Sequence, residues 1–324
     1  MNVLCVGGGS IGERHLRCFQ QTEPCTVSIC EALDERRERL VKEYDVEGFA
    51  SIDEAVQKSW DLVIIATPAN FHVEHALSFR DVTKAWMIEK PLSTNFDRID
   101  ELKAASEGKV LNVAYVFRNH PGVQAVRKMI QDRTYGEPLQ VTITGGQHFP
   151  TFRPAYREIY YADHRTGGGA IQDGATHTFD MIHYLVGPLD WVFCDYDHQA
   201  LEGVEVEDTV HVTARAGGVM VSQTLNQFGA PNESSFQVNA KEGSIRLALH
   251  EQRYGTMRLG ETEWAWSEQL LHERDDLFRL QARHMIEACL GNRDVLCTLD
   301  EGIRALKVNQ AALVSKGERV VKVG

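Results

Sequence analysis

In the first third of the chain, apolar residues come in short, nearly unbroken runs. NVLCVG (2–7), CTVSICE (25–31), DLVIIAT (61–67), KAWMIEK (84–90) and KVLNVAYV (109–116) each read as a strand buried on both faces. Helical spacing fills the gaps. One helix is predicted from about Ile11 to Gln21. A second starts at Asp34 and carries apolar residues at Leu33, Leu40, Val41 and Tyr44. A third opens at Pro68, where the first turn tolerates proline. Strands alternating with helical crossovers predict a parallel, doubly wound sheet.

After Phe117 the pattern changes. A helix is predicted over roughly 121–132, followed by the strand EPLQVTITGGQHF. The segment 149–166 is rich in Arg, Tyr and Pro and has no clear period. A glycine-led helix begins at GGGAIQDGATHTFDMIHYLVG (167–187). From about 190 to 262, DWVFCDYDH, DTVHVTARA, GVMVSQTLNQF, SSFQVNAK, SIRLALH and TMRLG read as successive strands of an antiparallel sheet. Two helices follow, about 274–290 and 299–316. The division expected is a first domain over 1–118 and an α+β domain over 119–324, whose last helices can pack back on the first.

Length and composition agree with two ordinary globular domains: 324 residues, 43% hydrophobic and 25% charged. No apolar stretch approaches the roughly 20 residues that span a bilayer. The chain opens directly on a strand, without a basic leader, so a cytoplasmic location is expected. The seven cysteines, at 5, 18, 25, 30, 194, 289 and 297, include no C-x-x-C pair and mostly lie in apolar segments. Free buried thiols are the reading. A net charge of −12 argues against nucleic acid and anionic membrane as partners, and leaves room for one small anionic substrate.

Three stretches carry candidate chemistry before the glycine-led helix. The first is Gly7-x-Gly9-x-x-Gly12, between a strand and a helix. There Gly7 permits a tight turn, Gly9 a close approach to a pyrophosphate, and Gly12 close helix–strand packing. Glu31 ends the second strand about 20 positions later, where a ribose hydroxyl would be read, so NAD is favoured over NADP. Arg36 and Arg37 lie nearby and keep NADP possible, or else form a solvated helix face. The second is the turn after DLVIIAT. It offers Thr67 and Pro68 near a nicotinamide, with Asn70 and His72 as contacts; helix capping explains Asn70 as well. The third is Glu89-Lys90-Pro91. It puts a lysine at a strand's C-terminal end, where ligands of open α/β sheets bind. A surface lysine paired with Glu89 is the alternative.

In the glycine-led helix, Asp173 and His177 are one turn apart and share a face in a regular α-helix. Alone, such a pair fits a helix start with a satisfied core histidine. Beside a cofactor motif and a strand-end lysine it fits half of an active site. Imidazole suits proton transfer near neutrality, a carboxylate can orient it or accept from a second hydroxyl, and a lysine cation can polarise an oxygen. The segment QHFPTFRPAYREIYYADHR and the preceding Arg118 supply Arg153, Tyr156 and Arg157 as substrate contacts. An arginine fork there either reads an acidic or N-acylated sugar or pairs with local Glu158 and Asp163. No third ligand joins Asp173 and His177 at metal-binding spacing, so no metal is expected.

Gly7-Gly8-Gly9-Ser10-Ile11-Gly12, Thr67-Pro68-Ala69-Asn70-Phe71-His72, Glu89-Lys90-Pro91 and Gly-Gly-Gly-x-x-x-Asp173-x-x-x-His177-x-x-Asp180 occur in this order. Together they resemble the family of glucose–fructose oxidoreductase, inositol dehydrogenase and the rhizopine-catabolism dehydrogenases, over essentially the whole chain. Two departures stand out: SFRDVTKAWM lacks the glycine usual before the lysine strand, and 147–166 is idiosyncratic. The resemblance implies an α/β protein: an N-terminal Rossmann domain plus a C-terminal α+β domain with a large, mostly antiparallel open sheet. That sheet often serves oligomerisation, so a homodimer or homotetramer is expected. It implies Lys90, Asp173 and His177 as the catalytic group. With the motifs it gives a cofactor set of Gly7, Gly9, Ser10, Ile11, Gly12, Glu31, Thr67, Pro68, Asn70, His72, Glu89 and Lys90. The expected activity is NAD(P)-dependent hydride transfer at a secondary hydroxyl of a sugar, sugar acid or cyclitol. A redox-neutral glycosidase or lyase using transient oxidation, and a non-catalytic NAD-binding regulator, are the other readings.

Overall fold

The computed structural model describes residues 1–22 and 25–324. The chain divides into two compact units, Met1–Asn119 with Glu273–Ile303, and His120–His272 with Arg304–Gly324.

The first unit is built on six strands: β1 (Asn2–Val6), β2 (Thr26–Cys30), β3 (Glu47–Phe49), β4 (Leu62–Ile65), β5 (Ala85–Ile88) and β6 (Val110–Val113). All pairings are parallel, in the order β3-β2-β1-β4-β5-β6. Chain direction across the sheet reverses between β1 and β4, the switch point of a doubly wound sheet. The crossovers carry α1 (Ser10–Gln20), α2 (Asp34–Tyr44), α3 (Ile52–Ala55), α4 (His72–Ser78) and α5 (Ile99–Ala105). Leu62, Val63, Ile64 and Ile65 are all buried, as the unbroken apolar run requires. α1 turns Leu16 and Phe19 onto the same core as Val3, Cys5 and Ile29. Only β3 escaped the sequence pattern, because it has three residues and buries one of them, Phe49.

The sequence pattern places a boundary after 118 and lets the last helices pack back on the first domain. The structure assigns Glu273–Ile303 to the first unit. The helix Asp276–Cys289 buries Ala282, Met285 and Ile286 in the core beneath α1. Just before it, Asp275 accepts from Arg17 Nε and Nη2 at 2.5 and 2.9 Å. An amphipathic stripe shows that a helix needs a core, not which core it finds.

The second unit contains α6 (Pro121–Gln131), α7 (Phe149–Phe152), α8 (Thr176–Leu185) and nine strands. These are β7 (Pro138–Gly146), β8 (Trp191–Asp197), β9 (Thr209–Ala216), β10 (Val219–Asn226), β11 (Glu233–Ala240), β12 (Gly243–Ala248), β13 (Arg253–Arg258), β14 (Ala265–Trp266) and β15 (Val321–Lys322). Their order is β14-β13-β12-β11-β7-β10-β9-β8-β15. Every pairing is antiparallel except β7 with β10. Val210, Val212, Ala214, Val219 and Val221 point into the core, while His211, Thr213, Met220 and Ser222 alternate outward. One face is therefore apolar and the other largely polar.

All seven cysteines are free. Burial pushes the Cys18 and Cys30 thiols up to about 11. Among the described residues no helix is long and apolar enough to cross a membrane.

Candidate active site

In the first unit, four parallel strands deliver their C-terminal ends to one edge of the sheet. β1 ends in the glycine turn, β2 in Glu31, β4 in Thr67-Pro68 and β5 in Glu89-Lys90. The turn needs its glycines. Gly7 has φ +96°, and a Cβ on Gly12 would lie 1.8 Å from the Gly7 carbonyl oxygen. Only a bare backbone allows α1 to start this close to β1. Gly9 is the opposite case: no atom lies within 4 Å of where its Cβ would be. That open space faces the start of α1, at Ser10 and Ile11, where free backbone N–H groups favour an anion. A cavity of about 390 Å³ is floored by Gly8, Gly9 and Ser10 and walled by arginines, Arg36 and Arg39 among them.

Glu31 is buried at this turn. Its Oε2 accepts from the Gly8 N–H at 2.7 Å, and its Oε1 from the Leu33 N–H at 2.9 Å. Arg36 Nη1 donates to the same Oε2 at 3.3 Å. Arg37 donates to the Glu31 carbonyl at 3.0 Å and to Asp34 at 2.5 Å. The carboxylate therefore sits at the β2 end with its charge shared among fixed donors.

Beyond β4, the Asn70 Oδ1 atom is buried without a hydrogen-bond partner among the described residues. Thr67 Oγ1 lies 3.1 Å from His75 Nδ1, and His75 stacks on Phe71. His72 and Glu89 were expected to contact a cofactor; both side chains are instead turned inward. His72 is 1% exposed, and its ring nitrogens face the carbonyl oxygens of Pro91 at 2.9 Å and Thr67 at 2.8 Å. It ties together the loops after β4 and β5, and burial pushes its imidazole below the usual value. Glu89 is also buried, with Oε1 at 2.6 Å from His15 Nε2 and Oε2 accepting the Lys90 N–H at 3.0 Å. Burial alone would raise the Glu89 carboxyl; the His15 bond and charge, with the Lys90 charge, outweigh it and hold the group below the usual carboxylate range. Lys90 follows β5 and is half-buried.

An uncrowded glycine at a helix start, a buried carboxylate beyond β2 and an orphaned amide oxygen beside Thr67-Pro68 fit a dinucleotide cofactor.

In the second unit, the glycine-led segment does not begin as an α-helix. Ala170–Ala175 forms a π-helical turn, and α8 starts at Thr176. The offset between Asp173 and His177 is therefore not that of one regular α turn. Such wide turns recur at functional sites. The close neighbours of Gly168 and Gly169 are the chain's own groups. A Cβ on Gly168 would lie 2.2 Å from the Tyr161 carbonyl oxygen, and one on Gly169 2.5 Å from Glu207 Oε2. Glu207 in turn accepts the Ile171 N–H at 2.8 Å and bonds His164 Nε2.

Asp173 is 3% exposed, and both its oxygens have protein partners. Arg153 Nη1 donates to Oδ2 at 2.8 Å, and the Tyr160 hydroxyl to Oδ1 at 2.7 Å. The Asp173 charge raises the arginine above its ordinary value. His177 lies in the first turn of α8 and is half-buried.

The other expected substrate contacts are placed elsewhere. Arg118 is 1% exposed and donates to the Leu296 carbonyl at 2.6 Å and to Glu301 at 2.7 Å, partners that bind it to its own unit. The buried Tyr156 hydroxyl and Arg157 Nε both donate to the Glu202 carbonyl at 2.7 Å. Arg165 pairs with Asp163, one of the local partners the sequence allowed. His15 was missed as a site support, and the bond of Tyr160 to Asp173 was not legible. Tyr160 stood in an aperiodic segment, and His15 meets Glu89 across 74 residues of sequence.

Two family models match the chain. One, described as an oxidoreductase family with an NAD-binding Rossmann fold, covers residues 1–116; the other, the GFO/IDH/MocA C-terminal domain, covers 123–246. Levoglucosan dehydrogenase of Pseudarthrobacter phenanthrenivorans is 27% identical over 294 residues, covering 76% of this chain and 73% of its own. Inositol 2-dehydrogenase of Rhizobium meliloti is 27% identical over 253 residues, covering 76% and 68%. The solved structure of levoglucosan dehydrogenase in complex with NADH superposes with a TM-score of 0.89 at 20% identity, over 100% of this chain and 99% of that one. The WlbA dehydrogenase from Bordetella pertussis, in complex with NADH and UDP-GlcNAcA, gives 0.86 at 22% identity, over 99% and 97%. At these identities the superpositions establish a shared fold.

Proposed function

The chain belongs to the Gfo/Idh/MocA oxidoreductase family, an NAD-binding family, and from that premise we propose that it oxidises a secondary hydroxyl of a sugar, sugar acid or cyclitol. Relatives named for levoglucosan and inositol support that substrate class. The observation that carries the reading is the single sheet edge that presents the glycine turn, Glu31, Thr67-Pro68 and Lys90.

A nicotinamide cofactor bound at the glycine turn supplies a two-electron hydride acceptor. The α1 N-terminus and Ser10 hold its diphosphate, Glu31 takes a ribose hydroxyl, and the buried Asn70 Oδ1 accepts from a donor of the same ligand. Glu31 keeps NAD ahead of NADP, since its carboxylate repels a 2′-phosphate. Lys90 polarises the substrate oxygen and stabilises the developing alkoxide. His177 takes the hydroxyl proton. Asp173 orients the substrate by accepting from a second hydroxyl, beside the bonds it takes from Arg153 and Tyr160. This assigns Arg153 the task of holding Asp173, in place of reading an anionic sugar.

The free, buried thiols support a reducing cytoplasmic location. The open nine-stranded sheet of the second unit, of the kind the family resemblance ties to oligomerisation, supports self-association into a dimer or tetramer. A screen of polyols, sugars, uronates and amino sugars with NAD and NADP, following absorbance of the reduced cofactor, tests the function. Reduced cofactor should accumulate with at least one neutral polyol. Bond cleavage at constant cofactor redox state would move the reading to the redox-neutral lyase or glycosidase. Binding of NADH without turnover of any compound would leave the regulator.

A further inference from the structure

His15 and Glu89 form a polar pair that no step above uses. His15 lies in the second turn of α1, fully buried, with its ring edge-on to Phe19 at 6.4 Å and Phe278 at 5.7 Å. Among the described residues its Nδ1 has no hydrogen-bond partner, and Nε2 bonds Glu89 Oε1 at 2.6 Å. The other Glu89 oxygen accepts the backbone N–H of Lys90 at 3.0 Å. One carboxylate thus joins the helix that starts at the glycine turn to the residue that follows β5.

A buried polar pair is a weak source of stability, because desolvation offsets most of the attraction. An apolar pair of similar volume would pack as well against Phe19 and Phe278. What an apolar pair could not do is accept the Lys90 N–H. The Glu89 N–H still bonds the Ile65 carbonyl of β4 at 2.9 Å, but the ladder ends there, and the Lys90 side chain aims only as well as its own Cα is held. We infer that Glu89, anchored by His15, is a positioning residue that fixes the Lys90 backbone relative to the cofactor-binding turn. The inference rests on the assignment of Lys90 to the reacting oxygen.

The test uses the full chain and three readouts: steady-state kinetics on the best polyol of the screen, NADH titration by fluorescence, and amide exchange of the segment 88–92 by mass spectrometry. Misplacing a reacting group by about 1 Å costs roughly 10²-fold, so Glu89→Ala should lower kcat by about 10- to 100-fold. KM and the NADH Kd should stay within about threefold, and the Lys90 amide should exchange faster. Glu89→Gln keeps an acceptor for the Lys90 N–H and should restore most of kcat. If Glu89→Ala does not fold, His15→Leu, which removes only the anchor, should show the same faster exchange at Lys90. Unchanged exchange and kcat in Glu89→Ala would overturn the inference. So would an NADH Kd that rises in step with the loss of kcat, which makes Glu89 a cofactor contact. Failure of Glu89→Gln to recover would overturn it too, since charge would then be what matters. If the wild type oxidises no polyol, the proposed function fails, and the exchange of the Lys90 amide still decides the positioning role.

Discussion

The sheet edge of the first unit and the 149–175 region of the second hold their functional groups in different ways. At the sheet edge the backbone does the work: strand ends set where Gly7, Glu31, Thr67 and Lys90 emerge, and hydrogen bonds such as Gly8 N–H to Glu31 refine the aim. In the second unit Asp173 sits in a π turn and depends on Arg153 and Tyr160, which come from short turns in an irregular segment. Regular secondary structure tolerates loss of one side chain; a carboxylate held by two loop residues does not. Substitutions at the edge should therefore cost chemistry or cofactor binding, while those around Asp173 should also disturb the fold locally.

Lys90→Met gives the largest effect. Removing one preorganised charge from a developing oxyanion costs roughly 10²–10³ in rate. The loss should fall on kcat with NADH binding retained, because the glycine turn and Glu31 are untouched. A parallel loss of NADH affinity would break the comparison by making Lys90 part of the cofactor cradle. His177→Ala should lower kcat by a similar factor, within the roughly 10²–10⁴ range of a proton-transfer residue, with unchanged melting temperature.

The same contrast explains what could be read from sequence. The β1, β2, β4, β5 and β6 runs and the glycine turn were visible because a parallel strand and a tight turn are encoded in consecutive residues. Glu31 and Lys90 were visible because strand ends are predictable once the strands are. Partners were not. Nothing in QHFPTFRPAYREIYYADHR tells Arg153, which meets Asp173, from Arg157, which meets a carbonyl of Glu202. Arg118 looked available after a strand and is instead bonded to Leu296 and Glu301, some 180 residues away. The π turn carries bonds from Gln172 Nε2 to the His164 carbonyl and from the Ile171 N–H to Glu207, tertiary contacts with no local signal.

Arg153→Ala sharpens the comparison at intermediate size. It removes the charged donor from the buried Asp173 and leaves the Tyr160 hydroxyl bond in place. A lost hydrogen bond to a charged group contributes about 1.5–3 kcal/mol, which corresponds to a loss of roughly 10- to 100-fold in kcat/KM if it falls on substrate orientation. Neutral and acidic sugars should lose equally, because the arginine serves Asp173. A loss confined to acidic sugars would return Arg153 to anion recognition. Tyr160→Phe removes a neutral donor and should cost only about two- to tenfold.

The smallest effect is a pH dependence of the loop itself. His164 bonds Glu207, whose Oε1 also takes the Ile171 N–H at the start of the π turn. The bond to Glu207 raises the imidazole above its ordinary value of 6.5, and burial only partly opposes this. A group whose folded value is raised adds stability that is complete below its unfolded value and is lost as pH rises through the folded one. The melting temperature of the second unit should therefore fall slightly as pH climbs above about 6.5, the reference value for histidine. His164→Gln should keep a donor to Glu207 and flatten that part of the curve. The side chain is 42% exposed, so solvent screens the pair and the shift should amount to a degree or two, at the low end for a surface pair. An identical slope in His164→Gln would assign the dependence to another titrating group.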